Sequence, residues 1–225
     1  MNIGTYLVTQ GSRSRGRATE DVVAAAIRGG VDVVQLREKG TSARERYHLG
    51  RALREQTRET DVTFLVNDRV DIAAAVEADG VHLGDEDLPI AAARDVLGDE
   101  DLPIAAARDV LGDDAVVGRS VSTVEAARHA VQAGADYLGV GAVYATDSKD
   151  VREEHAEIGP STVAAIADAV DVPIVGIGGI TAENAPEVIR AGADGVAVVS
   201  EITAAEDPES ATRELAAAVE NTHDH

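Results

Sequence analysis

The polar side chains that could do chemistry in this sequence cluster at the ends of short apolar runs. The run VVQLREK spaces Gln35, Arg37 and Lys39 two residues apart. In a strand these three share one side, while Leu36 and Glu38 face the other. An amide, a guanidinium and an ammonium on one face make a grip suited to phosphate oxygens. LVNDR brings Asn67 and Asp68, and VHLGDED brings Asp87. Two carboxylates beside an amide oxygen are hard ligands for Mg²⁺, which keeps waters and binds through one or two carboxylates plus substrate phosphates. His82, within VHLG, reads as a hydrogen-bonded interior histidine. Ser120 closes AVVGRS, and YATDSKD supplies Thr146, Ser148 and Lys149 in a hydroxyl-rich loop. GIGGIT supplies Gly178 and Gly179, and VAVVSE ends on Ser200 before its glutamate. Glycines allow backbone amides to approach a phosphate, and a helix start favours negative charge.

The composition sharpens some of these choices. The 225 residues contain no cysteine, which excludes disulfides, thiolate nucleophiles and cysteine-bound zinc. The formal charge of −21 and 2% aromatic content speak against nucleic acid, since phosphates would be repelled and few rings could stack on bases. No apolar run approaches the ~20 residues of a membrane helix, and none resembles a signal peptide, so a soluble cytoplasmic protein is expected. An acidic, lysine-poor surface suits a very salty interior, where salt screens self-repulsion. Only Lys39 and Lys149 remain beside eighteen arginines. In a chain that has shed lysine so thoroughly, the survivors are candidates for specific work.

The elements that must hold these groups alternate between β-branched runs and alanine-rich helical patterns. Eight strands are expected: 4–9, 31–37, 62–67, 80–84, 115–120, 136–143, 173–178 and 195–200. Helices between them are expected to close at Gly29, Gly134 and Gly192. Eight such units without a linker predict a single-domain (β/α)₈ TIM barrel over 1–225, with a doubly wound sheet as the alternative. In a barrel, chemistry sits where strands end, and the strand 7–8 corner is a common phosphate site.

YLVT, VQLREK, NDRVDIA, ADGVHLGDEDLP, GADYLGVG, TDSK, PIVGIGGIT and ADGVAVVS, in this order, closely resemble the thiamine phosphate synthase family. The resemblance covers nearly the whole chain. It implies a transferase of (β/α)₈ fold that couples hydroxymethylpyrimidine diphosphate to a thiazole phosphate, with Mg²⁺ and release of diphosphate. It further implies that Gln35, Arg37, Lys39, Asn67, Ser120 and Lys149 bind the pyrimidine diphosphate. Arg37, Lys39 and Lys149 would stabilise the leaving charge, and Asp68 and Asp87 would hold Mg²⁺. Thr146, Ser148, Gly178, Gly179, Val199 and Ser200 would meet the thiazole phosphate. Partners are then small molecules, with neither nucleic acid nor membrane, and with room for a homo-oligomer. Two other readings stand beside this one. A thiazole tautomerase-like paralogue is disfavoured by Ser122, where a histidine would be expected. A non-catalytic barrel binding thiamine precursors would not need the cationic grip.

One feature departs from the family pattern. DEDLPIAAARDVLG occupies 85–98 and again, unchanged, 99–112. Each copy carries Pro in a first helical turn and Gly at its close, so two short helices are expected, one of them extra. We expect the first copy to fill the regular helix position, which would start Asp101 at the far face of the barrel. The last residues, about 220–225, are expected to fray.

Overall fold

A computed structural model describes residues 1–84, 102–146 and 157–223. Strands β1 (Thr5–Val8), β2 (Val33–Leu36), β3 (Thr63–Asn67), β4 (Gly80–Leu83), β5 (Val116–Val121), β6 (Tyr137–Gly141), β7 (Ile174–Ile177) and β8 (Gly195–Val198) form a closed parallel barrel in sequence order. The expected barrel is therefore the fold, and the doubly wound sheet is set aside. Around it lie α1 (Thr19–Gly29), α2 (Ala43–Thr57), α3 (Val70–Val76), α4 (Leu102–Leu111), α5 (Val124–Gln132), α6 (Gly159–Ala167), α7 (Ala185–Arg190), α8 (Ser200–Thr203) and α9 (Pro208–His223). No described helix is long and apolar enough to cross a membrane.

Side-chain alternation divides the apolar residues into two cores. Leu7, Val34, Phe64, Val81, Leu138 and Val196 point outward to the helices, while Tyr6, Val8, Val33, Leu65, Tyr137, Val175 and Ala197 fill the barrel interior. Gly134 and Gly192 take the left-handed conformation expected of helix ends. At the first helix that role falls to Gly30, at φ 90°, and Gly29 is the buried last helical residue. The final helix runs to His223, so 220–223 are helical where fraying is expected.

The base of the barrel is fastened by one device used four times. Asp32, Asp79, Asp136 and Asp194 each precede an even-numbered strand. Their backbone N–H groups donate to Thr5, Phe64, Val117 and Ile174 carbonyls at 2.8–2.9 Å. In return the N–H of each of those residues donates to the same aspartate's carboxylate, at 2.7–2.8 Å. Charge-assisted bonds of this kind satisfy the first amides of β1 and β7 and the second amides of β3 and β5.

The doubled segment ends in the arrangement opposite to expectation. Helix α4 belongs to the second copy, and it occupies the regular position between β4 and β5. Ile104 and Ala107 are buried in the outer core. Arg108 reaches the Asp136 carboxylate at 2.8 Å and the Gly134 and Ala115 carbonyls at 2.8 and 3.0 Å. The helix leads through Gly112 to the base of β5, so it begins at the opposite face, where strands end. The expectation that Asp101 starts at the far face concerns a residue outside the described ones. The first copy, with its expected extra helix, lies outside the described residues. Arg108→Ala is expected to cost about 1–3 kcal/mol, the loss of hydrogen bonds involving charged groups. Arg94→Ala, the same change in the other copy, should stay within about 0.5 kcal/mol of wild type. Urea unfolding of both variants checks the assignment, and equal losses would contradict it.

Candidate active site

Strand ends gather nine of the expected residues on one cavity of about 240 Å³. Gln35, Arg37, Asn67, Ser120, Thr146, Gly178, Gly179, Val199 and Ser200 all line it. The reason is the inward alternation, which brings Gln35, Asn67 and Ser120 up the barrel interior from β2, β3 and β5. Arg37 follows β2, with its N–H held by Thr9 Oγ1 at 3.0 Å. Glu38 turns the other way as expected, accepting from Gly11 N–H at 2.8 Å and Thr19 Oγ1 at 3.0 Å. This carboxylate thereby ties the loop after β1 to the end of β2. Lys39 is exposed at the rim and does not line the cavity. The strand stops at Leu36, so alternation ceases to govern a residue three positions later. A capping box between Ser42 and Glu45 then starts α2.

Asp68 is not the helix cap its position could suggest. Its φ is 62°, a left-handed conformation that few non-glycine residues adopt. Arg69 is the N-cap residue of α3, and no side chain caps it. The Asp68 carboxylate instead accepts from Gly84 N–H at 3.3 Å and from the Asn67 amide. It therefore stands against the end of β4, at the point where the doubled segment begins. Among the described residues no three His, Cys, Asp or Glu side chains gather as metal ligands. One rim carboxylate with an amide beside it fits Mg²⁺ held through one or two carboxylates and substrate oxygens. Asp87, Ser148 and Lys149 lie outside the described residues.

At the β7–β8 corner, the glycines answer a packing demand. Gly178 has φ 104°, and a Cβ there would come within 2.7 Å of the Ala142 backbone. A Cβ on Gly179 would meet the Ala145 carbonyl at 2.5 Å. The loops after β6 and β7 thus approach more closely than side chains permit. Glu201 also lines the cavity, and its carboxylate accepts from Ala182 N–H at 3.0 Å, joining α8 to the loop after β7.

The floor of the cavity contains residues to which the sequence motifs assign no ligand-binding role. Tyr6 and Tyr137 line it together with His82. The Gln35 amide donates to the Tyr6 hydroxyl at 2.7 Å, and the two tyrosine hydroxyls are 2.9 Å apart. His82 has Nδ1 2.8 Å from Tyr137 Oη and Nε2 2.9 Å from Ser120 Oγ. His82 is thus hydrogen-bonded in the interior, as expected. Burial pushes both phenols above the ordinary tyrosine range, so both keep their protons at neutral pH.

Comparison with known proteins converges on one group. The profile described as thiamine monophosphate synthase matches residues 5–100 and 96–202. The break falls inside the doubled segment, as an inserted extra copy requires. The thiamine-phosphate synthases of Haloquadratum walsbyi and Haloarcula marismortui are each 62% identical over 216 residues, which is 96% of this chain and 91% and 96% of theirs. A solved thiamine phosphate pyrophosphorylase from Pyrococcus furiosus superposes with a TM-score of 0.79 at 38% identity, covering 98% of both chains. With its barrel, its strand-end residues and these relatives in agreement, the chain belongs to the thiamine monophosphate synthase family.

Proposed function

We propose that the protein is a transferase that couples hydroxymethylpyrimidine diphosphate to a thiazole phosphate, giving thiamine phosphate and diphosphate. The observation that carries this reading is the single cavity shared by the Gln35, Arg37, Asn67 and Ser120 group and the glycine corner at Gly178–Gly179. Two phosphorylated substrates need two anion-handling regions within reach of one another. The protein supplies no nucleophile of its own, because the second substrate is the nucleophile. The bond between the pyrimidine methylene carbon and the diphosphate oxygen breaks, and its electron pair leaves with diphosphate. The aminopyrimidine spreads the resulting positive charge. The thiazole nitrogen then donates its lone pair to that carbon and closes the new C–N bond.

Arg37, Lys39 and Lys149 offset the charge of the departing diphosphate, while Asn67 and Ser120 orient the pyrimidine portion. Thr146, Ser148, Val199, Ser200 and the glycine corner hold the thiazole phosphate in line. Asp68, with Asp87, would hold Mg²⁺, whose chemistry is to neutralise diphosphate oxygens. The reaction partners are small molecules, the setting is cytoplasmic, and the charge of −21 is an adaptation to high salt.

The test is formation of thiamine phosphate by purified protein from both precursors, with and without Mg²⁺, at low and molar salt. Product is expected only with Mg²⁺ and more of it at molar salt; no product under any of these conditions would refute the reading. The same assay separates the doubled aspartates. In sequence Asp87 follows Gly84 by three residues, and the Gly84 N–H donates to Asp68. Asp87→Ala should therefore abolish Mg²⁺-dependent turnover while Asp101→Ala retains it. The reverse outcome would transfer the ligand to the second copy, whose helix fills the regular position.

A further inference from the structure

A continuous hydrogen-bonded chain crosses the barrel interior from Gln35 through Tyr6, Tyr137 and His82 to Ser120. Its two ends line the cavity, and its middle members are 0–9% exposed. The strands make room for it at two glycines. A Cβ on Gly118 would fall 2.2 Å from the Tyr137 ring, and one on Gly139 would fall 2.9 Å from the His82 ring. Both sites face inward, where any side chain would displace a member of the chain.

Such a chain has a direction. Each hydroxyl carries one proton, and a neutral imidazole donates from one nitrogen while accepting at the other. Protons that run from Gln35 toward Ser120 leave the amide with Oε1 and its second N–H for the cavity. Protons that run the other way make Tyr6 donate to Gln35 Oε1. The amide must then turn over, and only its N–H groups remain for a ligand. The central link decides between them. A phenol is the stronger neutral donor and an imidazole nitrogen the stronger neutral acceptor, so Tyr137 donates to His82 Nδ1. That choice propagates through Tyr6 to the amide.

We propose that Tyr6, Tyr137 and His82 are positioning residues that fix the orientation of the Gln35 amide, so that the site accepts an aminopyrimidine edge and rejects the corresponding oxopyrimidine. The proposal rests on the pyrimidine reading of this site. An aminopyrimidine presents a ring nitrogen acceptor beside an amine donor, which pair with the spare Gln35 N–H and with Oε1. The oxo compound presents a ring N–H beside a carbonyl. It would set N–H against N–H and oxygen against oxygen, leaving buried polar groups unpaired on both sides.

The experiment compares kcat/KM for the 4-amino and 4-oxo pyrimidine diphosphates in wild type, Tyr6→Phe and Tyr137→Phe. Wild type should prefer the amino substrate by roughly 10⁴–10⁵-fold, as sites that hydrogen-bond a particular group do. Tyr6→Phe keeps the ring and frees the amide, so the preference should fall about 10²-fold, chiefly through better use of the oxo compound. Tyr137→Phe breaks the chain without touching Gln35, and the preference should fall about tenfold. A variant that merely loosens the interior lowers both substrates alike and leaves the ratio unchanged, so an unchanged ratio in both variants overturns the proposal. Dissociation constants for the two pyrimidine monophosphates, measured by calorimetry, give the same ratio without turnover. Failure of coupling therefore counts against the proposed reaction alone. Equal Kd values for the two compounds in wild type, or no binding of either, would sink the positioning role.

Discussion

Arg37→Ala is expected to lower kcat by roughly 10²–10³-fold, the usual loss when one preorganised stabiliser of transition-state charge is removed. Among the described residues lining the cavity, Arg37 is the one arginine or lysine. Its surroundings amplify the effect, since a chain of charge −21 offers a departing diphosphate little other positive potential. Arg37→Lys should recover part of the rate, because the charge returns without the planar fork that grips two oxygens at once. Lys149→Ala should produce a loss of the same order. The double variant should lose less than the product of the two, as groups acting on one leaving group are not additive. Single-turnover rates with both substrates saturating make the measurement, and near-wild-type turnover in either single variant would remove that residue from the mechanism.

Gly195→Ala should cause the largest loss of stability of any alanine substitution considered. A Cβ there would lie 1.8 Å from the Ile3 carbonyl oxygen and 2.7 Å from its carbon. Both are backbone atoms beside the start of β1, so no side-chain rotation can relieve the overlap. The cost should reach or exceed about 3 kcal/mol, the upper end for overpacked interiors. For a domain of this size that corresponds to a fall in Tm of roughly 6–12 °C. Gly80→Ala, with its Cβ 1.9 Å from the Val116 carbonyl, should behave likewise. Thermal melts at fixed salt decide the matter, and a loss below 1 kcal/mol would mean that the strands part more readily than their hydrogen bonds suggest.

Much of the fold is legible because each strand carries a β-branched run and each helix a separate alanine-rich pattern. Periodicity also puts Gln35 on the inner side of β2, and Arg37, one residue past its end, beside the same cavity. It fails at Lys39, since the backbone has left the strand by then. Asp68 is legible as a polar group at a strand end, but its left-handed backbone is imposed by tertiary contacts with the end of β4. The tyrosine chain is harder to read. Tyr6 and Tyr137 are 131 residues apart and meet only through closure of the barrel. The available signal was the pair of inward glycines, Gly118 and Gly139, small residues where a strand would otherwise carry bulk. Nor could two identical copies be distinguished by their own residues. The distinction comes from Asp136, which has one arginine to bind and takes it from the second copy.

The aspartate clasps at the foot of the barrel bear on how this chain tolerates a changed length. Every clasp binds one strand to the next below the level at which the substrates meet. Residues 85–101 enter between Gly84 and Leu102, at the open end, where no clasp is interrupted. A duplication of fourteen residues entering there leaves the stitching that keeps the staves together whole. The same length added at Gly112–Ala115 would instead pull on the seam between Asp136 and β5.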